Sequence, residues 1–338
     1  MALITPFDDF PIHQTAETLA VPSSSDRNHY DRYWFNGFSE EKDFLFEIGV
    51  GFYPNRHIMD AHFSISTAGK QYSYHASARM NPARYPINIG PISLEILEPM
   101  QKIRFSLKDP EKKLSCDLIF SAITEPHLEP KSLMIEGTRK ILETSRFTQF
   151  GKWDGSIETE SGNLDLTKEY GTRDKSWGVR PVGEPEIGAP GKLNAEPGVY
   201  WCWIPINFGD TFTHFGTFED HDGNSTQLSA DLVEISDNEV IKPLNNISHK
   251  VDWIKGTRWS SGAQISAQEG DKKIEINAKV CGPRFHCKGI GYQHPEWGHG
   301  FWKGEEAVGY EVWDLNEINP EDYSFFHIHQ IIKATMND

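Results

Sequence analysis

Lys102-Ile-Arg-Phe-Ser-Leu-Lys108 alternates polar and apolar side chains without interruption, and Lys273-Ile-Glu-Ile-Asn-Ala-Lys-Val280 does the same far along the chain. Because successive side chains of a β-strand point to opposite faces, this alternation predicts sheets with one buried and one hydrated face. Looser versions of the pattern occupy residues 44–50, 58–65, 71–78, 92–98, 115–122, 198–206, 211–219, 227–235, 309–315 and 323–333. The sequence therefore predicts an all-β fold.

Turn-forming residues separate these segments, as an antiparallel barrel or sandwich requires: the chain has 28 glycines and 20 prolines. A short helix over residues 14–20 is the one exception that we expect. The polar stretch Glu125-Pro-His-Leu-Glu-Pro-Lys131 breaks the rhythm of the strands, and a second unit opens around Phe147. Two β units side by side would place a ligand site at a barrel mouth or between domains.

The overall composition excludes several classes of function. The chain has 338 residues, which favours about two domains, and its 33 basic against 49 acidic side chains give a formal charge of −16. Such a charge argues against nucleic acid and anionic membranes as partners. With no signal peptide pattern and no long apolar segment, we expect a cytoplasmic protein without membrane insertion. The sequence does not predict an oligomeric state.

Gly171-Thr-Arg-Asp-Lys-Ser-Trp-Gly-Val-Arg-Pro181 is the most unusual run of the sequence. It concentrates charged residues and a tryptophan between helix-breaking residues, which predicts an irregular segment with a buried polar network beside an aromatic wall. Two interpretations remain open. The run lines a functional pocket, or Arg173, Asp174 and Arg180 form an internal ion-pair clasp that locks the sheets together.

Four elements together resemble one protein family: Tyr33-Trp-Phe-Asn-Gly37, Gly51-x-Tyr-Pro-Asn55, Gly151-x-Trp-x-Gly155 and Arg173-Asp-x-Ser-Trp-Gly-Val-Arg180. That family is the AttH and carotenoid 1,2-hydratase-like (hydroxyneurosporene synthase-like) family. The resemblance implies two adjoining lipocalin-like (calycin-like) β-barrels, at residues 30–142 and 143–338 after an extension at 1–29. It also implies a large apolar small molecule as substrate, such as an isoprenoid or a polyketide-like compound.

The resemblance transfers only in part to individual residues. Asp174 and Trp177 match the family's Asp-x-x-Trp element, but Lys175 stands where carotenoid hydratases often have histidine. The family's Trp-x-Trp segment is matched by Trp201 and Trp203. The strand that follows lacks an unambiguous acid and carries His214 instead, on the same face as the apolar side chains of residues 212 and 218.

Two carboxyl groups are candidates for catalysis beside His214. We expect the flanking arginines to lower the pKa of Asp174, which suits an orienting carboxylate more than a proton donor. Asp314 is the better acid if its face, shared with Tyr310, points inward. The alternative is that Asp314 faces water at the end of a strand.

His327 and His329 lie two positions apart on a predicted strand and project from one face. A metal is one interpretation of this pair, but no glutamate follows at the spacing of a cupin, and hydrogen bonding inside the barrel is the role that we predict. No Rossmann fingerprint, Walker loop or nucleophile elbow occurs. We therefore expect neither a metal nor another cofactor.

Three functions remain open. The first is a cofactor-independent lyase or isomerase that hydrates, isomerises or cyclises a carbon–carbon double bond of an apolar substrate. Its catalytic candidates are Asp174, His214 and Asp314, and the residues predicted to bind substrate are Arg173, Trp177, Arg180, Trp201, Trp203, Tyr310, His327 and His329. The second is a carrier of a lipid or terpenoid. The third is an interaction scaffold with filled barrels.

Overall fold

Antiparallel strands make up the regular structure of this chain. The computed structural model describes residues 4–12, 17–109, 111, 113–183, 200–235 and 240–337. The first twelve strands are β1 (His29–Ser39), β2 (Phe44–Tyr53), β3 (Ile58–Thr67), β4 (Lys70–Arg79), β5 (Ile87–Ile89), β6 (Ile92–Glu98), β7 (Lys102–Lys108), β8 (Leu114–Ala122), β9 (His127–Leu128), β10 (Ser132–Glu136), β11 (Arg139–Thr159) and β12 (Gly162–Val179). The remaining strands are β13 (Tyr200–Asn207), β14 (Thr211–Glu219), β15 (Ser225–Glu234), β16 (Val240–Pro243), β17 (Asn245–Trp253), β18 (Ser260–Glu269), β19 (Lys272–His286), β20 (Glu306–Asp314) and β21 (Ile328–Met336).

The described residues contain no α-helix, which confirms the predicted all-β fold class. The short 3-10 helices are Pro6–Asp9, Pro54–Arg56, Cys287–Ile290 and Tyr323–Phe325. The helix predicted over residues 14–20 falls partly on residues 13–16, which lie outside the described residues, and residues 17–20 form a bend and a turn.

Three sheets contain all of the strands. A 13-stranded sheet has the order β20-β4-β3-β2-β1-β12-β11-β8-β7-β6-β5, and β9 and β10 also pair with β11. This sheet curls into a nearly closed barrel, in which β5 comes close to β3 and β4. The two smaller sheets have the orders β13-β14-β15-β16 and β17-β18-β19-β21.

The chain separates into two compact units. Unit 1 comprises Met1–Gly188 and Gly282–Gln330, and unit 2 comprises Ala189–Cys281 and Ile331–Asp338. Unit 1 has an aromatic core around Phe46, Phe120 and Trp153, and unit 2 has a smaller aliphatic core around Phe215 and Ile276. The units do not follow the predicted boundary between residues 142 and 143, which lies within β11.

The central charged run was predicted to be irregular, and this prediction was wrong. Residues 171–179 are regular strand, because β12 extends to Val179 and pairs with both β1 and β11. Hydrophobic alternation cannot reveal this part of β12, since its side chains are polar on both faces and most of them are buried.

Strands β1 to β4 are buried on both faces, unlike β7, whose alternating burial fits the predicted hydrated face. Their first face carries Tyr33, Phe46 and Phe63 into the aromatic core. Their second face is polar, yet it is covered by residues 286–301, here called the covering segment. Gln71, for example, exchanges hydrogen bonds with the backbone of His286, at 2.8 Å in each direction. This polar second face is where the candidate site lies.

Candidate active site

Asp174 lies on the second face, in the middle of β12. Its Cα is paired with Trp34 of β1 on one side and with Thr148 of β11 on the other. The next row of the same face is Arg32, Ser176 and Arg146. Strand register therefore brings two arginines beside a carboxyl group that is only half-buried.

The pKa of Asp174 is raised to about 6, which corrects our expectation of a lowered pKa. Burial is the largest cause, because it disfavours the charged form. Arg146, Arg32 and Arg180 each lower the pKa but do not offset burial. The side chain of Asp174 forms no hydrogen bond or ion pair with the residues that the structure describes, so no local donor fixes it as a carboxylate.

Glu129 is the second acid beside Asp174, and its negative charge raises the pKa of Asp174 further. It accepts hydrogen bonds from the Arg146 guanidinium and the Thr148 hydroxyl. Arg146 is thus already paired with one carboxylate. The two neighbouring acids therefore differ: Glu129 is in an ion pair with Arg146, whereas Asp174 has a raised pKa.

Arg32 and Arg180 converge on the covering segment. Arg32 donates to the backbone carbonyl of Ile290 at 3.2 Å and to the Tyr292 hydroxyl at 3.4 Å. The guanidinium of Arg180 lies 4.5 Å from the centre of the Tyr30 ring. These contacts hold two permanent cations close to Asp174 and leave aromatic faces beside them.

His299 lies between these two arginines. Its Nδ1 is 3.2 Å from Arg180 and its Nε2 is 2.8 Å from the carbonyl of Ile290. Arg32 also lies 3.0 Å from Nε2, so each ring nitrogen faces a guanidinium that can only donate. Burial, Arg32 and Arg180 hold the pKa of His299 well below its ordinary value, so the ring is neutral.

His327 and His329 lie together at the start of β21, with ring centres 5.2 Å apart. His329 Nδ1 is 2.5 Å from Glu47 Oε1, while Glu47 Oε2 accepts a hydrogen bond from Trp34 at 3.0 Å. The pKa of His327 is well below its ordinary value because of burial, His329 and the two arginines. The hydrogen-bonding role predicted for this pair is observed for His329.

A chain of buried polar groups crosses the second face from β3 to β20. His62 and His75 share a hydrogen bond of 2.8 Å between their Nδ1 atoms, and burial lowers the pKa of His75 to about 3. Glu311 then accepts from His294 at 2.8 Å. At the other end, Asp60 accepts from the backbone N–H of Gly300 at 2.7 Å. This chain anchors the covering segment to the sheet.

Arg173, Lys175 and Trp177 lie on the first face of β12, opposite Asp174. Arg173 pairs with Asp9 at 2.7 Å, and Lys175 pairs with Asp31 at 2.6 Å. All four of these charged side chains are buried. The Trp177 ring packs edge-on against Phe147. The ion-pair clasp therefore exists, but its acid is Asp9 and not Asp174.

Tyr310 and Asp314 share a face of β20, as predicted, but their surroundings differ. Tyr310 is half-buried and packs against the aromatic core. Asp314 is exposed at the end of the strand, where it accepts a hydrogen bond from the backbone N–H of Asn316 at 2.9 Å. This placement corresponds to the alternative in which Asp314 faces water.

The other predicted residues belong to unit 2. The rings of Trp201 and Trp203 are stacked 6.2 Å apart, and Trp201 also stacks on Phe218. His214 is buried on the same face of this sheet, since Trp203 is paired with Gly216 and Trp201 with Phe218. The shared face predicted for His214 and its apolar neighbours is thus present in the structure.

Several residues of the site carried no recognisable signal in the sequence. Glu129 lies in the stretch that we interpreted as a break between strands, and Tyr292 lies in a loop. Arg32 falls within the run Tyr30-Asp-Arg-Tyr-Trp-Phe-Asn-Gly-Phe38, in which the aromatic residues are the unusual feature. Arg32 could have been placed near Asp174 only if the pairing of β1 with β12 were known.

Two groups of side chains have the donor atoms and spacing to hold a metal ion. One consists of Cys287, His327 and His329, and the other of His75, His294 and Glu311. In each group, one donor atom from every residue lies within 4.8 Å of the others.

A surface depression of about 290 Å³ lies on β5 to β7, away from this site. Its lining is mostly polar and comprises Asn88, Gly90, Pro91, Ile92, Ser93, Glu95, Arg104, Ser106 and Lys108. It contains none of the candidate site residues. No helix in the described part of the chain has the length and hydropathy needed to span a membrane.

A solved structure at low sequence identity shows the same fold. An AttH-like protein from Nitrosomonas europaea has a TM-score of 0.53 at 14% identity, over 77% of this chain and 83% of that chain. Kievitone hydratase from Nectria haematococca has a TM-score of 0.49 at 13% identity, over 80% and 85% of the two chains. At 14% identity, the AttH-like structure establishes a shared fold and not a shared activity.

No curated protein matches the sequence. One family does, the Family of unknown function (DUF8625), over residues 4–338. Because this match spans nearly the whole chain, the protein belongs to that family.

Proposed function

We propose that this protein is an enzyme that protonates a carbon–carbon double bond of an apolar small molecule and thereby hydrates, isomerises or cyclises it. The observation that carries the proposal is the carboxyl group of Asp174, whose pKa of about 6 leaves about a tenth of the molecules protonated at pH 7, against fewer than about one in a thousand at the ordinary pKa. A general acid must hold its proton at the working pH and release it in the transition state. An aspartate with an ordinary pKa cannot do this.

The proposed step begins when Asp174 donates its proton to one carbon of the double bond. The second carbon becomes electron-deficient and is attacked by water, whose proton returns to the Asp174 carboxylate, so that alkene and water give an alcohol. In isomerisation, the cation instead loses a proton from a neighbouring carbon to the Asp174 carboxylate. In cyclisation, a second double bond of the substrate attacks the cation, and the new cation that results loses a proton to the same carboxylate. No redox cofactor is needed in any of the three cases.

The cations beside Asp174 favour one kind of substrate. Arg32 and Arg180 would repel an isolated carbocation, but they are strong donors for a carbonyl or hydroxyl oxygen. Tyr292, which contacts Arg32, adds a phenolic donor. We therefore propose an apolar substrate that carries an oxygen function near its double bond, as polyketide-like compounds and oxygenated isoprenoids do.

The resemblance of Arg173-Asp-x-Ser-Trp-Gly-Val-Arg180 to carotenoid hydratase-like proteins supports this choice of reaction class, and the AttH-like fold is compatible with it. Arg180, His327 and His329 remain proposed substrate-binding residues, because they lie on the second face near Asp174. His214 and Asp314 remain alternative catalytic residues, as do Trp201 and Trp203 for binding.

Incubation in D₂O with a panel of oxygenated terpenoids, polyenes and polyketides, read by mass spectrometry, tests the proposal. In D₂O, hydration adds the mass of one D₂O and leaves one deuterium fixed on carbon, whereas isomerisation or cyclisation through protonation leaves one solvent deuterium in the product without added oxygen. Wild type is compared with Asp174→Asn and with Asp165→Asn, which alters an exposed aspartate of the same strand. His214→Gln and Asp314→Asn are measured in parallel.

We expect Asp174→Asn to lose product formation and Asp165→Asn to retain it. If Asp174→Asn remains fully active and His214→Gln or Asp314→Asn does not, the assignment to Asp174 is wrong. If a compound binds tightly but never gains mass or deuterium, the protein is a carrier.

A further inference from the structure

Cys287, His327 and His329 form a compact group of soft donor atoms within unit 1. Cys287 begins a 3-10 helix of the covering segment, and its backbone N–H donates to the carbonyl of His327 at 2.9 Å. This main-chain contact holds the two segments in a fixed relation. The backbones that carry the donor side chains of Cys287 and His327 are therefore held close together.

The surroundings of His329 are those of a metal ligand. A metal-binding histidine usually directs its second ring nitrogen to a carboxylate, which fixes the ring and strengthens it as a donor. His329 Nδ1 is 2.5 Å from Glu47 Oε1, which is a carboxylate contact of this kind. Glu47 is itself held by the indole N–H of Trp34 at 3.0 Å.

The charges of the buried groups at this site also favour a bound metal ion. Glu47 and Cys287 are both fully buried, so a cation bound beside them would be shielded from water and would need an anionic ligand. A thiolate formed at Cys287 on binding would supply that negative charge. Binding then follows M²⁺ plus Cys–SH giving Cys–S–M⁺ plus H⁺, with the proton released to solvent.

The other group, which consists of His75, His294 and Glu311, is not arranged to bind a metal ion. His294 Nδ1 accepts two backbone hydrogen bonds, from Glu296 at 3.0 Å and from Trp297 at 2.9 Å. Its proton must therefore sit on Nε2, which points at Glu311 at 2.8 Å. A metal on Nε2 would have to displace that proton and leave the ring without any, so this group is a hydrogen-bonded chain.

We propose that Cys287, His327 and His329 bind one Zn²⁺ ion, with Glu47 supporting His329 and a fourth position left for water or another ligand. One sulfur and two imidazole nitrogens suit zinc, and three protein ligands with an open position are the usual arrangement of a reactive zinc site. The site goes beyond the proposed function, whose acid is Asp174. It also departs from our sequence-based expectation of a metal-free protein.

Metal titrations of the full chain, first stripped with a chelator, test this site. Zn²⁺ affinity is measured by competition with a chromophoric chelator, and Co²⁺ serves as a probe because a thiolate ligand gives it a near-ultraviolet charge-transfer band. The variants are Cys287→Ser, His329→Gln and Glu47→Gln. The matched control is Cys116→Ser, which alters a buried cysteine of β8 in the aromatic core.

We expect wild type and Cys116→Ser to bind one Zn²⁺ per chain and to show the thiolate band with Co²⁺. Cys287→Ser should lose that band, His329→Gln should bind Zn²⁺ much more weakly, and Glu47→Gln should weaken binding by about 10–100-fold. Asp174→Asn should bind zinc like wild type, which separates this site from the proposed reaction.

Absence of the thiolate band in wild type would overturn the proposal, whatever the variants do. A band that persists in Cys287→Ser, or that is lost equally in Cys116→Ser, would also overturn it. Because Zn²⁺ stabilises only a chain that binds it, the melting temperature should rise with zinc in wild type and remain unchanged in folded Cys287→Ser.

Discussion

Charged side chains lie on both faces of β12, but their surroundings differ between the two faces. On the first face, Arg173 and Lys175 each have a buried carboxylate partner at hydrogen-bond distance, Asp9 and Asp31. On the second face, Asp174 is surrounded by three arginines and a glutamate, but its side chain forms no hydrogen bond with the described residues. The comparison teaches that the charged groups of the first face are matched in pairs, whereas the acid of the second face has a raised pKa, as the proposed proton donor requires.

Substitution at Asp174 should have the largest effect on activity. Asp174→Asn removes the proton donor while keeping the shape of the side chain, so turnover should fall by about 10²–10⁴-fold, the usual contribution of a general acid. The rate is measured with the substrate found in the D₂O screen, and the melting temperature is recorded on the same sample. Equal turnover in wild type and Asp174→Asn would contradict the catalytic role that distinguishes the second face of β12 from the first.

Substitution at Asp9 should have the largest effect on stability. Asp9→Asn leaves Arg173 buried without its counter-charge, which typically costs about 3–5 kcal/mol. The free energy of unfolding, measured by urea titration, should fall by this amount, while turnover per folded molecule stays near wild type. A matched control is Asp117→Asn, which breaks the exposed pair with Arg104 and should cost less than about 1 kcal/mol.

Whether the sequence predicts a strand depends on what the side chains of that strand pack against. Strands β6 and β7 alternate between buried and exposed side chains along the aromatic core, and their observed bounds match the predicted ones. The end of β12 carries polar side chains on both faces and is buried on both, so no hydrophobic alternation marks it. Fold class was predictable for this reason, and the path of the most informative strand was not.

The candidate site was predictable where unusual residues cluster along the chain. Asp174 and Arg180 stood out in one short run, and His327 and His329 in another. The pKa of Asp174 could not be inferred from its flanking arginines, because Arg173 points to the opposite face and burial outweighs the rest. Only strand register shows which charges share a face.

Stability should respond to pH through Asp174, and Asp174→Asn should remove that response. The folded pKa of about 6 lies above the unfolded value of 3.8, so between these values the folded chain holds a proton that the unfolded chain releases. Stability from this group is therefore lost as pH rises through that window, by at most about 3 kcal/mol. Asp174→Asn should gain stability relative to wild type from pH 4 to pH 7, as measured by urea titration; an unchanging difference would contradict the raised pKa.

Substitution of Trp177 should have the smallest of the four predicted effects. Like other changes on the first face, it should lower stability and not turnover. Trp177→Ala removes a half-buried ring that packs on Phe147, so we expect a loss of about 2 kcal/mol, below the range for fully buried tryptophans. Turnover per folded molecule should hardly change. A large loss of turnover with unchanged stability would return Trp177 to the substrate pocket, where the sequence had placed it.

The protonation of Asp174 can be measured without knowing any substrate. In protein labelled with ¹³C at aspartate side chains, the carboxyl resonance that is missing from Asp174→Asn identifies this residue, and its chemical shift is followed from pH 3 to pH 8. We predict a midpoint near the pKa of about 6 that its burial implies. A midpoint at or below about 4, the ordinary value for aspartate, would contradict the central claim that the second face of β12 holds a proton donor.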